Sequence, residues 1–328
     1  MERKNVYFEF LKVSRELGLP IKKILDMAFI LKDGIPVENN KLLRQLGISR
    51  NVLNQAKKKL ASFFEPSSKF TCLSPNHLNF LTEELGGSYL QEERIWKILE
   101  TEDFSRIISL LGHFQNLREV PKREFDQFAA TLETTALRAC LMDFFGDIKS
   151  KRILFLGDDD FTSVAVASLK TANEISVLDI DERILKGIEK VSREVKFKIN
   201  TVKYDARLPL PTSFTDKFDV VFTDPPYTSE GVSLFVSRAI QSLDQTNNSA
   251  RIYICYGNSD RAKERFFPIY KVLTDSGLMM RWVFDKFNRY NGAESIGNSS
   301  SLFICDVTPR TKPLVGNKKF NGDIYTTN

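Results

Sequence analysis

From Arg152 onward, short apolar runs alternate with amphipathic stretches, and aspartates recur at the ends of those runs. Apolar runs bounded by turn signals fit buried strands, and strands alternating with helical patterns build a parallel, doubly wound sheet. Residues 153–156, 175–178, 197–204, 218–222 and 251–256 read as strands, with helices over 162–169, 183–194 and 232–243. Two further strands, 279–287 and 301–307, are expected to finish the sheet in antiparallel fashion. Ligands of such sheets bind outside the carboxyl ends of the strands. Four positions fall there: Gly157, Asp179, Asp205 and Asp224. A glycine lets a ligand approach the backbone. An acid about twenty residues later can hold a ribose diol, which assigns Asp179, with Asp181 beside it, to a nucleoside; Asp205 suits an adenine amino group. Each acid alone could cap a helix. The four positions in register predict a nucleoside site.

Two acidic loops refine that reading. In Gly157-Asp158-Asp159-Asp160 three carboxylates stand where methyltransferases keep a glycine-rich loop for the methionine part of S-adenosylmethionine. Like charges at ~4 Å repel by about 4 kcal/mol at an effective dielectric near 20, so a carboxylate-bearing donor is penalised and a cationic one favoured. Asp158 as a helix N-cap, or a divalent cation on the loop, are the alternatives. In Asp224-Pro225-Pro226-Tyr227, the carboxylate and the Pro225 carbonyl can accept hydrogen bonds from an amino group, and Tyr227 can stack on a base or face a cation. Adenine-N6 methyltransferases use the same motif, which makes nucleic-acid methylation the competing reading.

The N-terminal third reads as helices. Residues 41–46 and 50–63, joined at Gly47-Ile48-Ser49, form a helix-turn-helix pattern, with Asn39-Asn40 and Ser49 as caps. A hairpin over 63–73, turning at Pro66-Ser67-Ser68-Lys69, would complete a winged helix. Residues 39–70 carry seven Lys and Arg against one acid, Glu65. That balance fits DNA contact, or a solvated face in a domain used for dimerisation or substrate docking. The expected organisation is a winged-helix-like domain over 1–75, a helical connector over 76–120 with a break at Gly86-Gly87, the sheet domain over 121–310 and a mobile tail over 311–328.

Four scattered cysteines and two histidines, without a CxxC pair, argue against a zinc site and for reduced core thiols. The N-terminus lacks a signal-peptide apolar region, and no apolar stretch reaches the ~18 residues of a membrane span. A cytoplasmic protein is expected. The net charge of +5 permits a polyanionic partner without demanding one.

The residues resemble the branched-chain polyamine synthase family. The matching stretches are Asp126-Gln127 with Thr131, Glu133, Thr134 and Arg138; the Gly-Asp-Asp-Asp loop with Ser163; residues 179–183; residues 204–211; Thr223-Asp224-Pro225-Pro226 with Gly231, Phe235 and Arg238; and residues 322–326. The resemblance implies a class I methyltransferase-like, Rossmann-like fold. It also implies aminopropyl transfer from decarboxylated S-adenosylmethionine to the central secondary amine of spermidine, with methylthioadenosine leaving. No bound metal or other cofactor is implied. Asp159 and Asp160 are then the expected proton acceptors, with Asp224 supporting, and Asp158 anchors the donor's cationic tail. Gln127, Glu133, Pro225, Tyr227 and Tyr325 are assigned to the acceptor. The acidic loop argues against nucleic acid as the substrate. A homodimer is the expected assembly.

Overall fold

A computed structural model describes residues 3–78, 85, 89–257, 263–293 and 298–326. The chain divides into two compact units. One comprises Met1–Lys97, Phe144–Gly146 and Thr246–Ser249; the other comprises Ile98–Asp143, Asp147–Gln245 and Ala250–Asn328. The main boundary thus falls near residue 97, rather than at 75 and 120 as the sequence suggested. The expected break at Gly86-Gly87 lies outside the described residues.

The first unit begins with helices α1 (Arg3–Leu17) and α2 (Ile21–Leu31), separated at Gly18-Leu19-Pro20. A two-residue strand β1 (Val37–Glu38) leads into α3 (Asn39–Leu46), and a turn through left-handed Gly47 leads to α4 (Arg50–Lys59). Ser49 caps α4 as expected, its hydroxyl accepting the Val52 N–H at 3.3 Å. Asn39 does not cap α3. Its amide instead donates to the Ser68 carbonyl and its side-chain oxygen accepts from the Thr71 hydroxyl, because a returning strand lies alongside. That strand, β2 (Phe70–Thr71), pairs antiparallel with β1, and Phe64 bridges Leu73 to form the expected hairpin. Leu42, Leu46, Leu53, Ala56, Leu60 and Phe63 are buried with Phe10 and Ile24 in one core.

In the second unit, α5 (Glu102–His113) precedes a two-residue strand β3 (Ala129–Ala130) and α6 (Leu132–Phe144). Thr131 caps α6, accepting the Thr134 N–H. The chain then alternates: β4 (Arg152–Leu156), α7 (Thr162–Ala167), β5 (Glu174–Asp179), α8 (Glu182–Val195), β6 (Ile199–Lys203), β7 (Val220–Thr223), α9 (Ser229–Ser242), β8 (Arg251–Tyr256), α10 (Phe267–Asp275), β9 (Met279–Asn291) and β10 (Ser299–Asp306). The sheet order is β3-β9-β10-β8-β7-β4-β5-β6. Strands β4 to β8 are parallel, and β10 enters antiparallel between β8 and β9. The order reverses at β4, whose neighbours are β5 and β7, so the switch-point crevice opens above β4. The Thr223 hydroxyl donates to the Leu156 carbonyl at 2.8 Å, tying the ends of β4 and β7 together.

The tail packs against the sheet domain at several points. Ile324 is fully buried and Thr228 donates its hydroxyl to the Ile324 carbonyl. Arg238, itself buried, donates to the carbonyls of Gly316 and Lys318. A polar, aperiodic segment is held here by donors from the folded sheet domain rather than by its own pattern.

Among the described residues no helix is long and apolar enough to cross a membrane. All four cysteines are free, and three of them are buried.

Candidate active site

Strand β4 ends at Leu156, and Gly157 turns the chain with a φ of +76°, a conformation open to glycine at little cost. The three aspartates that follow point three ways. Asp158 folds back on α7, its carboxylate accepting the N–H of Thr162 at 2.8 Å and of Ser163 at 3.1 Å. It therefore caps a helix and lies outside the lining of the cleft. Asp160 turns toward α6. Arg138 pairs with it at 2.8 Å, Arg118 at 3.1 Å, and the Ala130 N–H donates to it at 2.6 Å. Both oxygens of Asp160 are therefore engaged within the protein. Asp159 alone faces the crevice.

Asp224, at the end of β7, sits beside that loop. Its Oδ2 accepts from Arg138 at 3.1 Å and from the Tyr290 hydroxyl at 2.6 Å, whereas its Oδ1 is buried without a hydrogen-bond partner. Arg138 is fully buried and also donates to Asn288. It thereby spans Asp160 and Asp224 and fixes the two loops to each other. A buried acceptor left unmade costs roughly 1–3 kcal/mol, which marks Oδ1 as the place for an incoming donor.

The cleft encloses about 640 Å³ including its open mouth. Asp126, Asp159, Asp179 and Asp224 line it, with Phe125, Phe128, Tyr204, Tyr227, Phe235, Tyr290 and Tyr325; among the described residues no Lys or Arg does. Asp179 keeps its expected place, one oxygen accepting the Asp158 N–H and the other the Asp181 N–H, both within 2.9 Å. Gly157, Gln127, Tyr227 and Tyr325 also line the cleft as expected. Six expected residues do not. Asp181 and Asp205 turn to Arg183 and Arg207, at 2.6 and 2.7 Å. Glu133 is exposed on the first turn of α6. Pro225 is buried away from the lining, its place taken by Pro226. Asp158 and Asp160 are the remaining two.

Burial, reinforced by the charges of Asp160, Asp224 and Asp179, pushes the Asp159 carboxyl well above the ordinary aspartate range. Burial also raises Asp224, against the pull of Arg138. Asp179 is raised by burial to about 6, the N–H groups of Asp181 and Asp158 opposing. At Asp181 and Asp205 burial is outweighed by hydrogen bonds from Arg183 and Arg207, which hold both carboxyls low. Asp159, Asp179 and Asp224 thus face the cleft with raised carboxyls, and burial raises Asp158, the cap of α7, to about 8 as well.

Asp126 and Tyr290 went unnoticed as site residues. Asp126 stands in a left-handed conformation and accepts the Thr326 N–H at 3.0 Å, as well as its hydroxyl, so it clips the tail to the cleft wall. Gly231, at the start of α9, is required by the same closure: a Cβ there would lie 2.7 Å from the Ile324 carbonyl oxygen and 2.9 Å from Pro226.

Residues 110–313 match the model of the branched-chain polyamine synthase A C-terminal domain. The chain belongs to the branched-chain polyamine synthase family. It is 34% identical over 293 residues to an uncharacterised protein of Methanocaldococcus jannaschii, covering 89% of this chain and 68% of that one. To the N(4)-bis(aminopropyl)spermidine synthase of Thermococcus kodakarensis it is 35% identical over 196 residues, 59% of this chain and 55% of the relative. The matched region spans about half the length of the relatives so named, including that of Thermus thermophilus at 30% identity and 48% coverage. Membership places the chain among transferases of the polyamine-synthase type. The crystal structure of the Thermus thermophilus branched-chain polyamine synthase, in complex with N4-aminopropylspermidine and 5'-methylthioadenosine, superposes with a TM-score of 0.61 at 19% identity, covering 99% of this chain and 98% of that one. At that identity the likeness concerns the fold, which is the class I methyltransferase-like fold of this family.

Proposed function

We propose that this protein moves aminopropyl groups from decarboxylated S-adenosylmethionine to the central secondary amine of spermidine, forming a branched polyamine and releasing methylthioadenosine. The observation that carries this reading is the charge of the cleft: among the described residues, four carboxylates and seven aromatic rings line it, without a lysine or arginine. A polyamine supplies several ammonium groups to such a wall. A nucleic-acid strand brings phosphates that it repels, which disfavours adenine methylation. The Thermus thermophilus relative holds an aminopropylated spermidine and methylthioadenosine, the two kinds of product this reaction would give.

Asp179 at the end of β5 receives the ribose, and the turn at Gly157 admits the donor close to the backbone. The attacking amine donates to Oδ1 of Asp224, which Arg138 and Tyr290 hold in place from the other side. Its lone pair forms the new C–N bond while the C–S bond breaks, the electron pair returning to sulfur as the sulfonium becomes a thioether. The ammonium proton passes to Asp159. Burial and the neighbouring acids raise the Asp159 carboxyl, and arriving polyamine charge lowers it, so acceptor binding is expected to strengthen with pH. Tyr227 and Tyr325 supply faces for the cationic chain.

The test is incubation of the protein with spermidine and either donor, with products read by mass spectrometry. A gain of one or two aminopropyl units with the decarboxylated donor only is expected. Methyl transfer from S-adenosylmethionine to adenine in nucleic acid, without any polyamine product, would overturn the proposal.

A further inference from the structure

The acidic cleft absorbs none of the basic residues of the first unit, and these form an ordered surface. On α4 the exposed positions Arg50, Asn51, Asn54, Gln55 and Lys58 recur at helical spacing, while Leu53 and Ala56 face the core. Every member of that exposed row is a hydrogen-bonding or cationic side chain, and none is acidic. Arg, Asn, Gln and Lys are the side chains whose geometry matches the edges of guanine and adenine in the major groove. Around the row stand exposed cations on neighbouring elements: Lys41 and Arg44 on α3 and Lys69 in the hairpin.

The local packing holds this surface in one shape. Lys57 donates from α4 to the carbonyls of Ser67 and Phe70, both at 3.0 Å, and so fastens the hairpin to the helix. The Arg50 guanidinium donates to the Asn40 side chain at 2.6 Å, and Gln55 donates to Asn51. Lys59 is set apart from the row by its pairing with Glu16. The hairpin tip, 65–69, is exposed throughout. A short helix, a tight turn, a second helix with a polar outer face and an adjoining hairpin that exposes Lys69 beside Glu65 form the geometry in which one helix enters a groove while its neighbours touch phosphates.

We propose that this face is a docking surface for duplex DNA, with α4 in the major groove and Lys41, Arg44 and Lys69 against the backbone. Duplex RNA is disfavoured because its major groove is too deep and narrow for side chains to read. The proposal is independent of the reaction assigned to the cleft, and concerns docking of nucleic acid rather than its use as substrate.

The test uses the full chain and a fluorescent 30-base-pair random-sequence duplex, followed by anisotropy from 50 to 200 mM salt. Binding is expected to weaken with salt, the slope of the log–log plot falling by about 0.9 per phosphate contact. Lys41→Glu with Lys69→Glu should weaken binding at least tenfold and flatten the slope, leaving the melting temperature and aminopropyl transfer unchanged. Arg50→Ala with Asn54→Ala should narrow the spread of affinities across a duplex library. Absence of duplex binding at 50 mM salt would refute the proposal. So would wild-type affinity in both double variants, or stronger binding of single-stranded or duplex RNA than of duplex DNA.

Discussion

Asp159 and Asp160 are adjacent and chemically identical, yet the structure gives them opposite consequences on removal. Asp159→Asn takes a carboxyl away from the cleft without breaking any hydrogen bond among the described residues, and relieves repulsion from Asp160, Asp224 and Asp179. The variant should melt at or above the wild-type temperature. Turnover should fall by about 10²–10⁴, the usual worth of a positioned proton acceptor. Asp160→Asn does the reverse. It leaves the buried guanidinium of Arg138 facing only Asp224, and Arg118 without its carboxylate. Removing one partner of a buried pair costs roughly 3–5 kcal/mol. For a unit of roughly two hundred residues each kcal/mol moves the midpoint by about 2–4 °C, so a loss of about 6–20 °C is expected. Circular-dichroism melts and product mass spectrometry on both variants decide the matter. Full turnover in Asp159→Asn, or a melting temperature within about a degree of wild type in Asp160→Asn, would refute the division of roles.

Further outcomes follow from the same geometry. Tyr290→Phe removes one of two donors to Asp224 Oδ2 and should lower kcat about tenfold with KM for spermidine little changed, measured by steady-state product formation. Asp126→Asn weakens the clip on Thr326 and should raise KM for spermidine while sparing kcat, checked in the same assay. Gly231→Ala sets a methyl group against the Ile324 carbonyl and Pro226, and should cost activity through the displaced wall; a second-site truncation at residue 313 should then cause no additional loss. Asp179 titrates near 6 when folded and near its ordinary value when unfolded. The folded state therefore holds more protons between those values, and stability falls as pH rises from about 4 to about 6, by ~3 kcal/mol. Urea unfolding across that range should show the slope in wild type and a shallower one in Asp179→Asn.

The inner parallel strands were legible because they are apolar runs buried on both faces, as at residues 153–156, which are at most 2% exposed, whereas the edge strand β6 is partly polar and half-buried. The roles within Gly-Asp-Asp-Asp were not. Which carboxylate faces the cleft is decided by Arg138 on α6 and Arg118 before it, and spacing along the chain does not reveal that pairing. Strand β3 is two residues long and exists through its pairing with Asn291 and Tyr290. Helix α10 was missed for another reason. Its first turn mixes an exposed Phe267 with Pro268, which masks the helical period. The tail's order depends on carbonyls gathered by Arg238, a long-range arrangement without a local pattern.

The Thr223–Leu156 bond and the Arg138 bridge leave the two acidic loops no freedom to part, so the floor of the cleft behaves as a single stiff plate. Its rim is different: Phe125, Asp126 and Tyr325 come from short segments joined by a few side-chain bonds. Adaptation to a longer or shorter amine would then accumulate in the rim. The type of bond made, set by the plate, would stay constant while the guest changes.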